Sequence, residues 1–279
     1  GDHRDLHSFP TRRSSDLTIG HTEVRWLGGT GFMLNSRGTI LMIDPLLITN
    51  QGTPLICEEG LEMVIDYPIR AGDVPCLDVL LYTHSDDDHL GRETAVTLAK
   101  LKPAIIAPPP AFVRLTRAGV DPNIVEMCRY GDKFSFGPME IEVMKADHPW
   151  QLQNPAKYGK PFRIGDAVGY KITTPDGVLL FPGDTRLMEE HLSITGIDVL
   201  AVDVSRCEYH INVRGATTLA NLLKDALLIP YHYGTYNAPD IPAHCGDPED
   251  VFCNVTEREK REKRLAPGQA LRILEGKSI

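Results

Sequence analysis

Two histidines and three aspartates fall within six residues, His84, Asp86, Asp87, Asp88 and His89 being separated only by Ser85. The cluster stands directly behind an apolar run, Val79, Leu80, Leu81 and Tyr82, that reads as a buried strand. Behind it, Leu90, Thr94, Leu98 and Leu101 recur at helical spacing. The cluster therefore occupies a strand-to-helix corner, which can aim several side chains at one point, as a metal ion requires. A solvated charge run seldom carries histidines at both edges, and seldom follows a core strand. A chain with such a corner needs a sheet whose strand interiors are buried and whose strand ends carry the chemistry.

The pattern recurs along the chain. The alternating run 141–146 leads into Asp147 and His148, the run 178–181 into Gly183 and Asp184, and the run 227–230 into Tyr231 and His232. In a mixed sheet, residues at strand ends converge on one edge while the interiors supply a rigid scaffold. One histidine after a strand is ordinary. Four such ends in this order, with glycine immediately before the aspartate, are not a chance pattern.

Further strand-like runs cover 24–27, 31–34, 40–43, 105–107, 167–173, 199–202 and 270–274, with helical patterns at 111–118 and 217–224 and a charged helical stretch at 248–264. Two long irregular pieces, 46–74 and 150–164, are rich in proline and glycine and are expected to wall a site. Gly28, Gly29, Thr30 and Gly31 precede a strand and not a helix, which excludes a dinucleotide-binding loop.

The net charge of −9 argues against a broad nucleic-acid or anionic-membrane footprint. Six cysteines are scattered without a Cys-x-x-Cys pair, which suits reduced thiols and a cytoplasmic location. No run of about 18 apolar residues is present, so no membrane-spanning segment is expected. Residues 1–17 lack periodicity and an apolar core; they read as a disordered extension or as an artefact resembling translated sequencing-adapter sequence. Residues 18–279 read as a single domain.

From about residue 21 to 275 the order of these motifs resembles the metallo-β-lactamase superfamily, whose signature is His-x-His-x-Asp-His followed by a histidine, a Gly-Asp and a final histidine. Within it, Trp26 to Gly31 with its Gly-Gly-Thr turn, Ile43-Asp44-Pro45, Gly183-Asp184-Thr185 and Ile229-Pro230-Tyr231-His232 are similar to the ascorbate-6-phosphate lactonase-like branch. The resemblance implies an α/β (by some schemes α+β) four-layer αββα sandwich of two mixed β-sheets flanked by helices, with a metal centre at one sheet edge. It implies that His84 and His148 hold a first divalent metal, that Asp184 bridges to a second, and that Asp88, His89 and His232 complete the second.

Asp86 departs from the signature, standing where the superfamily has its second histidine. Either it ligates through a carboxylate oxygen, favouring manganese or iron beside zinc, or the first site is weak and one metal binds.

A bound divalent metal lowers the pKa of water from about 15.7 to about 7. The expected function is thus hydrolysis of a small lactone or ester by metal-bound hydroxide. Two alternatives stand beside it: a phosphodiesterase or nuclease on the same fold, and a non-catalytic, metal-poor binding module.

Asp88, His210 and Arg214 are the candidate catalytic residues. His210, Asn212 and Arg214 fall in the loop after 199–204, where His210 would protonate a leaving group and Arg214 would bind an anionic group of a small-molecule substrate. Asp44 reads as a brace for a ligand or as a turn residue, Asp87 as a charge favoured near a helix N-terminus, and Cys207 as a small buried thiol. Tyr233 and Tyr236 read as packing. His21, His191 and His244 have no evident partners in the sequence.

Overall fold

The computed structural model describes residues 19–273; the expected extension at 1–17 and the last residue of the expected strand at 270–274 lie outside them. The first six strands, β1 (Thr22–Gly28), β2 (Gly31–Ser36), β3 (Thr39–Ile43), β4 (Val79–Leu81), β5 (Ala104–Ala107) and β6 (Val125–Met127), lie side by side in chain order. The next six, β7 (Lys133–Phe136), β8 (Met139–Lys145), β9 (Val168–Thr174), β10 (Gly177–Phe181), β11 (Val199–Asp203) and β12 (Leu227–Tyr231), make a second sheet. The chain then returns, and β13 (Ala270–Ile273) pairs antiparallel with β1.

Both sheets are mixed. β1 to β3 pair antiparallel and β3 to β6 parallel. In the second sheet β7 to β10 pair antiparallel and β10 to β12 parallel.

Side-chain alternation sorts the layers. Leu41 and Ile43 of β3 join Val143, Ile172, Ala201 and Ile229 in the core between the sheets. Ile40 and Met42 face the other way, against Leu98 and Leu115 of helices α1 (Arg92–Ala99) and α2 (Pro109–Ala118). On the far side, Leu200, Val202 and Leu228 pack against Ala216 and Leu219 of a later helix and against Phe252.

The layers are therefore α, β, β, α, as the family resemblance implied. Strands covered on both faces read as unbroken apolar runs. β8 keeps a wet outer face, where Glu142 pairs with Lys171 at 2.8 Å, and so its sequence alternates.

The helices beyond β8 differ in extent from the sequence reading. A short helix, α3 (Pro155–Tyr158), interrupts the irregular piece 150–164. α4 spans Asn212–Leu222, beginning five residues earlier than the 217–224 pattern, because the Asn212 side chain accepts from the amides of Arg214 and Gly215 and secures the first turn. The charged stretch 248–264 is two short helices, α5 (Pro248–Phe252) and α6 (Arg258–Arg261), separated where Glu257 adopts a positive φ of 52°. β6 and β7 were not evident in the sequence; they are three and four residues long, too short to show a period.

Candidate metal centre

β3 and β4 are parallel, as are β10, β11 and β12, so their C-terminal ends share an edge. Onto that edge the chain places Asp44 after β3, His84 after β4, His148 beyond β8, Asp184 after β10, Asp203 at the end of β11 and His232 after β12. The two sheets are tied there: the Val168 amide donates to the Thr83 carbonyl at 2.9 Å, and the Tyr170 hydroxyl to the Tyr82 carbonyl at 2.7 Å.

The close approach explains the glycine before Asp184. At φ +67° a Cβ on Gly183 would stand 2.7 Å from the Val168 carbonyl oxygen and 3.1 Å from Thr83 Cβ. Asp44 and His232 also hold positive φ, 44° and 65°. Non-glycine residues persist there only where their surroundings enforce it, often at functional sites.

His84, His148 and Asp184 form a first group of mutually close ligand atoms, and Asp86 stands beside it. Asp86 Oδ2 lies 3.2 Å from His84 Nε2 and 3.4 Å from His148 Nε2, while Asp184 Oδ2 lies 3.9 and 3.7 Å from the same two nitrogens. Atoms bound tetrahedrally at about 2.1 Å to one ion sit about 3.4 Å apart, so this spacing fits a divalent cation. In a second group, Asp88 Oδ2 is 3.8 Å from His89 Nε2 and 3.6 Å from His232 Nε2, and Asp184 Oδ2 is 3.1 Å from His89 Nε2. Asp184 belongs to both.

The fit to metal rests on unsatisfied atoms. Nε2 of His84, His89 and His232 and Oδ1 of Asp184 are buried without a hydrogen-bond partner, an arrangement that is unfavourable unless something binds them.

Each imidazole is oriented by its other nitrogen. His89 Nδ1 donates to Asp44 Oδ2 at 2.8 Å, His148 Nδ1 to the Tyr209 carbonyl at 3.0 Å, and His232 Nδ1 to Asp203 Oδ1 at 3.0 Å. His84 Nδ1 donates to Thr83 Oγ1 at 3.0 Å, and that hydroxyl donates to Asp44 at 2.5 Å. Protons on Nδ1 leave the Nε2 lone pairs facing the cluster, which is what ligation needs. Asp44 is thus a brace, as one of its two sequence readings held.

The ligand loop is fixed from outside as well. Arg114 of α2 donates to the Ser85 carbonyl at 3.0 Å and pairs with Asp87, so that acid anchors the loop; α1 begins only at Arg92. Thr30, in the turn joining β1 and β2, donates to the Asp88 carbonyl at 2.6 Å.

Burial and neighbouring charge oppose each other throughout the cluster. Burial pushes the Asp86 carboxyl up, but His84 and His148 outweigh it and hold the group at about 2. Burial likewise opposes ionisation of Asp184, yet His210, His89 and His232 keep it well below the usual carboxylate range. Burial lowers His232, and Asp184 and Asp203 overcome that to raise it to about 9. For His148 burial wins, and its pKa falls.

His210 and Arg214 part company. His210 is buried, its Nδ1 donating to Asp203 Oδ2 at 2.7 Å and its Nε2 standing 3.2 Å from Asp184 Oδ2. Arg214 sits exposed in the first turn of α4, and its guanidinium has no hydrogen bond or ion pair among the described residues. The structure brings the other expected site residues together and leaves Arg214 on the surface.

Two residues at the centre were missed in the sequence. Asp203 anchors both His210 and His232. His244, expected to lack partners, places Nδ1 3.9 Å from Asp88 Oδ2 and packs edge-on against Tyr236 at 5.1 Å. His21 and His191 are local, pairing with Glu23 and accepting from the Met188 amide.

Both irregular pieces reach residues at the centre or packed against it. Phe162 brings its ring within 6.1 Å of His84 and 6.3 Å of His148. From the piece 46–74, the Tyr67 hydroxyl meets that of Tyr236 at 3.1 Å, and Met63 bridges to Tyr236.

A family model for the beta-lactamase superfamily domain matches residues 23–232. The chain is 27% identical over 257 residues to a UPF0173 metal-dependent hydrolase of Pyrobaculum arsenaticum, covering 90% of this chain and 100% of that protein. It is 28% identical over 258 residues to another from Pyrococcus horikoshii, with 90% and 99% covered. Its fold is similar to the structure of Igni18, a metallo hydrolase from Ignicoccus hospitalis, at a TM-score of 0.64 and 18% identity, covering 90% and 97%. With three quarters of its length spanned by the family model and the signature residues gathered at one sheet edge, the chain belongs to the metallo-β-lactamase superfamily.

Proposed function

We propose that the protein is a metal-dependent hydrolase whose substrate is a small lactone or related ester. The observation that carries this reading is the Asp203–His210 pair. His210 keeps Nε2 3.2 Å from Asp184 while Asp203 holds its other nitrogen. Asp184, Asp203, His210 and His232 also stand close enough together to hold a metal, and His210 is assigned to proton transfer because His84, His148, His89 and His232 would already supply imidazoles for two ions. The curated relatives named metal-dependent hydrolases support the same class.

His84, Asp86, His148 and Asp184 would hold one ion, and Asp184, Asp88, His89 and His232 the other. Such ions make water nucleophilic at neutral pH and polarise the oxygen of an attacked carbonyl. The donor set is rich in oxygen, which favours manganese or iron alongside zinc.

The chain's own part is orientation and proton transfer. Asp203 fixes the His210 ring so that Nε2 can carry a proton to a leaving oxygen, and burial beside Asp184 and Asp203 favours the protonated form: burial alone lowers its pKa, and the two carboxylates raise it well above the ordinary value. Asp86 and Asp88, at 18% and 16% exposure, are the ligands nearest to solvent and mark the mouth through which substrate enters.

Among the described residues, the ionic partners of Asp86, Asp88 and Asp184 are all histidines. No lysine or arginine among the described residues is ion-paired to these three carboxylates, and this favours a neutral carbonyl substrate over a phosphodiester. Asp86 within 3.4 Å of both imidazoles favours an intact first site over a metal-poor binding module. Free cysteines suit a reducing cytoplasm.

The test is turnover of a lactone panel beside a nitrophenyl phosphodiester by zinc- and manganese-loaded protein. Lactone opening that falls at least a hundredfold in Asp184→Ala is expected, such losses being about what removal of a transition-state contact produces. Turnover of the phosphodiester alone would reverse the substrate assignment.

A further inference from the structure

Helix α1 begins at Arg92, just beyond His89, and the residue before it, Gly91, has no side chain to bind the free amides of the first turn. A carboxylate from elsewhere in the chain does so. Glu58, in the irregular piece 46–74, accepts from the amides of Glu93 at 2.8 Å and Thr94 at 3.2 Å, and the Thr94 hydroxyl donates to its other oxygen. That hydroxyl also accepts from the Leu47 amide at 2.9 Å. A side chain at position 91 is excluded, because a Cβ there would overlap the Glu58 carboxylate.

Glu58 belongs to a small hairpin. Ile56 bridges antiparallel to Glu62, the Cys57 amide donates to the Leu61 carbonyl at 2.9 Å, and the Met63 amide to the Leu55 carbonyl at 2.8 Å. The second arm of the hairpin pairs with the segment that follows His232. Met63 bridges antiparallel to Tyr236, the Val64 amide donates to the Thr235 carbonyl at 2.8 Å, and the Asn237 amide donates to the Glu62 carbonyl at 2.8 Å.

One hairpin therefore grips both pieces of chain that bring ligands to the second group. Through Glu58 it holds the end of the loop that carries Asp88 and His89, and through residues 62–64 it holds the segment leaving His232. The start of that loop is held otherwise, by its continuity with β4 and by Arg114 on the Ser85 carbonyl, so the Glu58 contact bears on the end.

We propose that Glu58 is a positioning residue of the metal centre, latching the hairpin 55–64 to α1 so that Asp88 and His89 are held in place relative to His232. The proposal rests on the reading of the cluster as a two-ion centre and is independent of the substrate.

The experiment reads metal and backbone, and not turnover. Zinc is titrated against a chelator, and amide hydrogen exchange is followed, in the full chain and in Glu58→Ala, Glu58→Gln and Asp121→Ala. Asp121 accepts from the Asn123 amide in the turn before the edge strand β6, and its variant controls for general loosening. Glu58→Ala should weaken one of the two zinc-binding steps about tenfold and leave the other unchanged, the low end of what loss of an outer partner produces. Glu58→Gln keeps an oxygen acceptor for the amides and should weaken the same step less. Exchange in Glu58→Ala should quicken at the amides of Glu93 and Thr94, and also on the second arm at Val64 and Asn237.

The proposal fails if neither step weakens, if both weaken together as general loosening in Asp121→Ala would make them, or if exchange quickens on α1 alone. If Glu58→Ala does not fold, the same comparison on Glu58→Gln decides. Should wild type bind fewer than two zinc ions, the two-ion reading fails by itself, and exchange decides the latch: quickening at Val64 and Asn237 sustains it, and unchanged rates there overturn it.

Discussion

Oδ2 of Asp86 stands 3.4 Å from Nε2 of His148, across a gap that an ion would fill. A carboxylate reaches less far than an imidazole, so its place in the signature raised the question whether the first site closes. The loop carrying Asp86 is held by the Leu90 amide, which donates to the Asp86 carbonyl at 2.8 Å, and by Arg114 on the neighbouring Ser85 carbonyl, and we propose that this lets the carboxylate close the first site. Asp86→Ala should therefore lower bound metal from about two to about one per chain after dialysis, while Asp86→His should keep both ions and shift preference from manganese toward zinc. Elemental analysis of the dialysed variants checks this. Full metal content in Asp86→Ala would remove Asp86 from the ligand set.

Asp203 supports two rings with one carboxylate, His210 on Oδ2 and His232 on Oδ1. Burial opposes its ionisation, but the two imidazoles hold it far below the usual range, so at neutral pH it is a charged acceptor for both. Asp203→Asn keeps the shape and removes the charge. Loss of such an orienting partner lowers metal affinity or activity by about 10–100-fold. Chelator competition should show weaker binding at the second ion, and kcat should fall further than that loss explains, because His210 is released at the same time. A variant with normal affinity and normal kcat would show that neither ring depends on Asp203.

Most of the centre was legible because His84, His148, Asp184 and His232 each follow a strand-like run, and strand ends are where a sheet presents side chains. Asp203 follows the run 199–202 in the same way and carried the same signal. His244 carried none. It lies between β12 and α5 in a segment without periodicity, and its place is set by packing on Tyr236. Arg214 misled because Asn212 starts α4 early and turns that position outward. The buried strands were legible for a simpler reason, because a strand covered on both faces is apolar in its interior, as β3 is over 40–43, β11 over 199–202 and β12 over its length, while the four-layer order came from the family resemblance. Even Pro230 fits, since β12 is the edge of its sheet.

Metal binding should depend on pH through His232. Without metal its pKa is raised from 6.5 to about 9, burial being outweighed by Asp184 and Asp203. A group raised on folding stabilises the folded metal-free state fully below its unfolded value and loses that contribution as pH rises through the folded value. The chelator-treated protein should therefore lose thermal stability from this group between about pH 6.5 and 9. An ion must displace the same proton, so affinity should rise with pH over that window and then level. Competitive titration at four pH values, with calorimetry in two buffers to count released protons, measures both. His232→Gln should flatten the stability profile; an unchanged slope would assign the dependence to another group.

Gly183 is the position where a minimal change should damage the centre without touching a ligand. Its φ of +67° lies in the region that favours glycine, and an added Cβ would meet the Val168 carbonyl oxygen at 2.7 Å and Thr83 Cβ at 3.1 Å. Neither neighbour can yield cheaply. The Val168 carbonyl belongs to β9, and Thr83 is held on its amide and hydroxyl by Asp44. Gly183→Ala should cost about 1–3 kcal/mol from the backbone conformation alone, and the contact with Thr83 would push the two sheets apart where Asp184 and His84 must meet. The thermal midpoint and metal content should fall together, with added metal recovering part of the midpoint by mass action. A variant that binds both ions normally and melts as wild type does would show that this edge is more pliant than its contacts imply.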